Sequence, residues 1–224
     1  MDLTLKEVSS ILGIPSREIL RMVKARKIRA YKIYSRYRFN RDELNEWILK
    51  GRIPVSSEVL SLVQSSVPVK MYNLFERGGV YYDIEGSSVA DVIRNSVQRI
   101  TIPANTDREK IIASLLEREE LMTTGMGEGI ALPHPRNPIL ADVGSESVSI
   151  CFLRNPVDFN SIDEKPVHTL FIILSANPRR HLEILSKISF LCRKPDFYDM
   201  IVSRRNTDEI MRAIELQDIE WRKK

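Results

Sequence analysis

Apolar positions fall at helical spacing from the start of the chain. Leu5, Val8, Ile11 and Leu12 form one stripe, and Thr4 with Glu7 three residues on has the form of a capping box. Gly13-Ile14-Pro15-Ser16 interrupts the stripe: Gly13 suits a left-handed helix end, and Ser16 is the expected cap of the next helix. That helix, from Arg17 to Ala25, turns Ile19, Leu20 and Val23 inward and leaves Arg17, Arg21 and Lys24 on another face. Between Lys27 and Phe39 apolar and polar residues alternate, which predicts a hairpin with Tyr34-Ser35-Arg36 near its tip. Asn40 then caps a last helix, Arg41 to Leu49, with Leu44, Trp47 and Ile48 inward.

Gly51-Arg52-Ile53-Pro54 closes this stretch. Residues 55–70 are serine-rich, with a possible short helix from Glu58 to Gln64, and Pro68 keeps a long helix from crossing the junction. From Met71 strands alternate with helices. Val80–Ile84 is a strand, and Ser87 or Ser88 caps a helix through Ile100 with Val89, Val92, Ile93 and Val97 inward. Asp107 caps Arg108 to Glu120, whose stripe is Ile111, Ile112, Leu115 and Leu116. Val148, Ile150 and Phe152 mark one face of a strand, and Val167 to Leu174 reads as a buried one. Arg180 to Cys192 is a helix, and two short helices follow, near Phe197 and from Thr207 to Ile214. The expected fold is a small, mainly α, winged helix-turn-helix domain followed by an α/β domain, a mixed sheet with helices on both faces. The division is residues 1–54, a linker at 55–70, and 71–224.

Charge follows the same division. Of the 224 residues, 1–54 carry 13 Lys/Arg against 6 Asp/Glu, while the rest is mildly acidic. Between Arg17 and Arg41 ten basic residues face one acid, Glu18. A basic unit of this kind could meet nucleic acid or an anionic membrane, or simply be solvated surface. No apolar run is long enough to span a bilayer, the first residues lack a signal-peptide pattern, and Cys151 and Cys192 make no disulfide framework, so the cytoplasm is the expected compartment.

The pattern of residues 2–50 resembles the excisionase/MerR-type DNA-binding module. It rests on the Leu-Thr-x-x-Glu-Val start, the Leu-Gly-Ile-Pro-Ser turn and the final Arg-Phe-Asn-Arg-Asp-Glu-Leu. The resemblance implies that Ser16, Arg17, Arg21 and Lys24 lie along the major groove, with Tyr34, Arg36 and Arg38 on or beside the wing. Arginine reads guanine edges and lysine neutralises phosphate, so the residue types suit that task. One such module grips DNA weakly, which makes a homodimer useful. The plain alternative is a helical interaction module with a basic surface.

The most informative stretch is Thr124-Gly125-Met126-Gly127-Glu128-Gly129-Ile130-Ala131-Leu132-Pro133-His134-Pro135. Alternating glycines permit tight backbone geometry and close approach to an anion. No Gly-Lys-Ser/Thr follows, which excludes a nucleotide P-loop. Leu132 and His134 each precede proline and are biased to extended backbone, so a stiff segment offers the imidazole, expected to be reachable from solvent. With Arg118 before it, and Ile162-Asp163-Glu164-Lys165-Pro166-Val167 and His181-Leu182-Glu183-Ile184-Leu185 after it, this motif resembles the fructose/mannitol-type enzyme IIA (EIIA type 2) of the phosphoenolpyruvate:sugar phosphotransferase system, including its nitrogen-regulatory relatives.

The resemblance implies that His134 accepts a phosphoryl group from HPr or a paralogue. It implies that Arg118 stabilises the phosphate and that His181 lies beside the first imidazole, with Thr124 and the Gly125 amide as further donors. Neither a cofactor nor a metal is implied. His168, inside an apolar strand, reads as structural. Neither cysteine has the surroundings of a phosphocysteine, so transfer onward would need a separate enzyme IIB. Three functions stay open: a phosphorylation-responsive DNA-binding regulator, a sugar-transport phosphocarrier, and a phosphorylation-switched protein-binding regulator.

Overall fold

In the computed structural model, which describes residues 3–12, 14–40, 43, 44, 47, 69–104, 106–161 and 163–222, the first helix is set by Thr4. Its Oγ1 accepts the Glu7 N–H at 3.2 Å, while Glu7 Oε2 accepts the Thr4 N–H at 2.7 Å: the capping box at the head of α1 (Leu5–Leu12). Residues Leu3–Thr4 are also strand β1. The second helix, α2 (Ser16–Lys24), differs from expectation at its start. Pro15, not Ser16, is the N-cap, and its carbonyl accepts the N–H groups of Glu18 and Ile19 at 2.8 and 3.2 Å. Ser16 therefore occupies the first helical position without a capping hydrogen bond.

The end of α2 is a Schellman motif. Lys27 N–H reaches Met22 O, Arg26 N–H reaches Val23 O, and Arg26 takes the left-handed φ of 55° usually left to glycine. Of the predicted stripe only Ile19 is fully buried, and Leu20 and Val23 are half-buried. Strands β2 (Tyr31–Ile33) and β3 (Arg36–Phe39) complete a sheet of order β1-β3-β2, in which Leu3 pairs with Phe39 and Ile33 with Arg36. The tip is the two residues Tyr34 and Ser35. Asn40 caps as expected, with Oδ1 accepting the Glu43 N–H at 3.2 Å. Leu44 and Trp47 are helical and buried. Gly13, Ile48 and the possible helix at 58–64 lie outside the described residues.

From residue 71 the elements run α3 (Met71–Gly78), β4 (Val80–Ile84), α4 (Val89–Arg99), α5 (Arg108–Leu121), β5 (Gly125–Gly127), β6 (Ile130–Ala131), β7 (Ser147–Val157), β8 (Val167–Leu174), α6 (Pro178–Cys192), α7 (Pro195–Val202) and α8 (Thr207–Arg222). Ser88 caps α4 in a capping box with Asp91, and Asp107 caps α5. The sheet order is β4-β7-β8-β6-β5, parallel at β4/β7 and β6/β8 and antiparallel at β7/β8 and β5/β6. The backbone groups residues 70–177 with 192–223 in one compact unit, and residues up to 69 with 178–191 in the other.

Strand β7 is buried on both faces, not only along Val148, Ile150 and Phe152. Cys151 and Leu153 share a core with Val92, Ile93 and Val97 of α4 and Ile111, Ile112 and Leu115 of α5. The opposite face receives α3, whose Phe75 meets Phe171 edge-on at 6.1 Å. Helix α3 was not legible as a helix in sequence, and α8 runs well past Ile214. One residue links the two departures: Asp218, in that extension, accepts the N–H groups of Met71 and Tyr72 at 3.1 and 2.8 Å, satisfying the start of α3.

In the other unit, α6 carries a buried ion pair. Glu183 Oε1 lies 3.3 Å from Lys187 Nζ and accepts the Val69 N–H at 3.0 Å, while Lys187 Nζ donates to Val69 O at 2.5 Å. Both side chains are at most 5% exposed. Removing one partner of such a pair strands the other charge, so Glu183→Ala is expected to lower unfolding free energy by about 3–5 kcal/mol. The double change Glu183→Leu with Lys187→Leu should lose clearly less. Urea unfolding of the three proteins measures the difference.

Candidate active site

The site is assembled where α5 ends and the glycine hairpin begins. Arg118 is 1% exposed and donates from Nη1 to Met122 O at 2.7 Å. Next to it, Glu119 turns back on the chain: Oε1 accepts the Thr124 N–H at 2.9 Å and Oε2 the Thr124 hydroxyl at 2.5 Å. Burial pushes the Glu119 carboxyl above its usual range, against the opposing pull of the Thr124 hydrogen bonds and Arg118. Thr123 Oγ1 accepts the Gly125 N–H at 3.0 Å. Thr124 O in turn accepts the Leu132 N–H, which closes the β5–β6 hairpin at its open end.

At the other end the turn needs left-handed residues, with φ of 52° at Glu128 and 72° at Gly129. The Glu128 N–H donates to Asp163 Oδ2 at 2.7 Å, and that hydrogen bond holds the Asp163 carboxyl below its usual range. A Cβ on Gly129 would strike the His168 ring, and one on Gly125 would strike Ser161 Oγ. These glycines thus serve close packing. The amide of Gly125 and both donors of Thr124 are engaged within the protein, which departs from the expected phosphate contacts. Asp163 and Glu119 are the site residues that sequence reading missed. Asp163 stood inside a matched motif, but nothing in its spacing pointed to an amide thirty-five residues away.

The imidazole follows directly. Pro133 O accepts the Ile173 N–H at 3.0 Å, which lays the segment along β8. His134 Nδ1 lies 2.7 Å from Leu132 O. A carbonyl only accepts, so Nδ1 carries a proton, and in the neutral ring the lone pair is on Nε2. The ring is 0% exposed, contrary to the expected solvent-reachable imidazole, because Leu132 to Pro135 pack inward with it. Burial, with the nearby charge of Arg204, lowers the pKa of His168. Its Nδ1 sits 2.8 Å from Thr169 Oγ1.

His134, Arg118, Thr124 and Gly125 therefore share one compact unit. His181 is buried at 5% exposure in the first turn of α6, in the other unit. The predicted DNA-contacting residues also divide by burial. Arg17, Arg21, Lys24, Tyr34 and Arg36 are exposed, and Ser16 and Arg38 are half-buried.

The family model of the phosphoenolpyruvate-dependent sugar phosphotransferase system EIIA 2 matches residues 73–216. The chain belongs to that family. A helix-turn-helix domain model matches residues 3–52. The EIIA part is 30% identical over 151 residues to a nitrogen regulatory protein of Pseudomonas aeruginosa, covering 65% of this chain and 95% of that one. It is 28% identical over 153 residues to the fructose-specific EIIABC component of Bacillus subtilis, covering 67% of this chain but only 24% of that longer protein. Among solved structures, the nitrogen regulatory protein IIA-Ntr of Neisseria meningitidis superposes with a TM-score of 0.51 at 25% identity, covering 60% of this chain and 92% of that one.

Two further features bear on the EIIA chemistry. Burial pushes the thiols of Cys151 and Cys192 up to about 12, so both are neutral and poor nucleophiles. Among the described residues no helix is long and apolar enough to cross a membrane.

The Glu119 shift has a pH signature. A carboxyl whose folded pKa exceeds its unfolded one binds more protons when folded, so stability falls as pH rises from the ordinary carboxylate range to the raised value. Glu119→Gln removes that ionisation and keeps an acceptor for the Thr124 N–H. Urea midpoints between pH 4 and 7 should decline less in the variant than in the wild type.

Proposed function

We propose that this chain is an EIIA-type regulator that takes a phosphoryl group onto Nε2 of His134 from an HPr-like phosphohistidine donor and couples that state to DNA binding by its helix-turn-helix. One observation carries the reading: the hydrogen bond from Nδ1–H to Leu132 O, which directs the lone pair to Nε2. In the transfer Nε2 bonds to phosphorus as the donor's N–P bond breaks. The ring then bears a proton on Nδ1 and phosphorus on Nε2, a cation that the Leu132 carbonyl stabilises. Arg118 is the expected counter-charge for the phosphoryl oxygens, and His181 enters as a supporting residue on the family resemblance. Because the ring is buried, docking of the donor must uncover it.

For the N-terminal module, the basic residues of α2 and the hairpin support contact with DNA. Dimerisation, the excisionase/MerR type and a cytoplasmic setting belong to the same proposal. The likeness to a fructose EIIABC component supports a second reading, in which phosphate passes to a separate IIB protein for sugar transport.

Incubation with labelled phosphoenolpyruvate, enzyme I and HPr should label the wild type and leave His134→Ala blank. Arg118→Ala should slow labelling by about 10²-fold or more, the range for losing one preorganised charge-stabilising group. Equal labelling of His134→Ala would refute the acceptor. Gel shifts of the phosphorylated and unphosphorylated protein separate the regulator from the transport carrier, which should discharge rapidly to a IIB cysteine.

A further inference from the structure

The tip of the β2–β3 hairpin is built in an unusual way. A two-residue hairpin loop wants both residues in the left-handed region, and Asn-Gly is the common solution. Here the two residues are Tyr34 at φ 44° and Ser35 at φ 65°, and both carry a Cβ. The Tyr34 side chain gains no compensating packing, since the residue is 95% exposed. Strain of this kind is retained where the presented group is used.

The strands below the tip supply its setting. Tyr31 pairs with Arg38 and Ile33 with Arg36, so these four residues share one face by the alternation of the ribbon. Phe39, on the opposite face, is buried in the core, which makes the face of Tyr31, Ile33, Arg36 and Arg38 the outer one. Tyr31 and Ile33 are 48% and 43% exposed. An aromatic ring held out at the apex, with arginines directly beneath it, combines a wedge with the charges that hold a phosphate backbone on either side. Basic charge selects a polyanion, and a single protruding ring needs a gap between stacked bases.

We infer that the hairpin is a wedge for the minor groove of duplex DNA: Tyr34 enters a deformable pyrimidine–purine step and partly unstacks it, while Arg36 and Arg38 hold the flanking phosphates. The inference rests on the proposed DNA-binding role and adds the mode of contact. It makes this module a shape reader, sensitive to how easily a TA step opens as well as to base edges met by α2.

The test uses the full chain and a 30-base-pair duplex with several TA steps, each adenine of which is replaced in turn by 2-aminopurine, a base whose fluorescence rises on unstacking. Wild-type protein should bind with strong salt dependence and raise the fluorescence several-fold at one or more steps. Tyr34→Ala should abolish the rise and weaken binding about ten-fold at unchanged salt slope, whereas Tyr34→Phe should keep both. Arg36→Ala and Arg38→Ala should each lower the salt slope by about one unit. Tyr34→Ala binding with wild-type affinity and fluorescence overturns the wedge and leaves the DNA-binding role intact. So does a Tyr34→Phe variant as impaired as Tyr34→Ala, which would mean that the hydroxyl acts instead. Absence of any salt-dependent binding by the wild type overturns the DNA-binding role itself. Tyr34 is on the surface, so circular dichroism should find each variant folded as the wild type.

Discussion

The hydrogen bond from His134 Nδ1 to the carbonyl of Leu132, two residues back, is what the site turns on. It places a proton on Nδ1, so that in the neutral ring the lone pair lies on Nε2. The bond is possible because the backbone between Leu132 and Pro135 is extended and stiff. Proline after Leu132 and again after His134 removes the helical alternatives for both residues. The carbonyl of Pro133 is held by β8, so the segment cannot swing away from the sheet. The Leu132 carbonyl is thereby aimed by the sheet, and the ring by the carbonyl.

Upstream, the same geometry depends on a chain of contacts that begins at α5. Glu119 holds Thr124 through both its N–H and its hydroxyl, and Thr124 O holds the Leu132 N–H. The cost of this anchor is a half-buried carboxyl whose ionisation is disfavoured. The hairpin between them is short, and its glycines let Ser161 and His168 sit against bare backbone. Asp163 then pins the turn from a separate loop. The glycine-rich motif thus packs closely around the imidazole segment.

Much of this was readable from sequence where local chemistry decides. Thr4 with Glu7, Asn40, Ser88 and Asp107 cap as their side chains require, and the limits of β4 and β8 follow their apolar runs. What was not readable depends on distant partners. Helix α3 takes its N-terminal acceptors from Asp218, and β5 and β6 are two to three residues long with glycine at the positions that would show a period. Strand β7 looked one-sided because serine and cysteine occupy its second face. That face is in fact covered, and Ser149 Oγ finds the Gly78 carbonyl at 2.9 Å. Ser16 was displaced from the cap by Pro15, whose fixed φ and free carbonyl do the same work. The burial of His134 is also tertiary: proline flanks predict a stiff segment but not which way it faces.

That burial changes how a phosphoryl signal could travel. A phosphoryl group brings about two negative charges, and screening confines their direct influence to about 8–10 Å in physiological salt. Charge alone does not act beyond that range. Placing those charges on a fully buried ring is a different matter, because an uncompensated buried charge carries a penalty of several kcal/mol. On the proposed chemistry, a phosphoryl group on this ring would need a counter-charge or an exit from the interior, and an exit would break the hydrogen bond to Leu132. If His134 is the acceptor, a site buried in this way would convert a local charge into a rearrangement, which an exposed imidazole would not do.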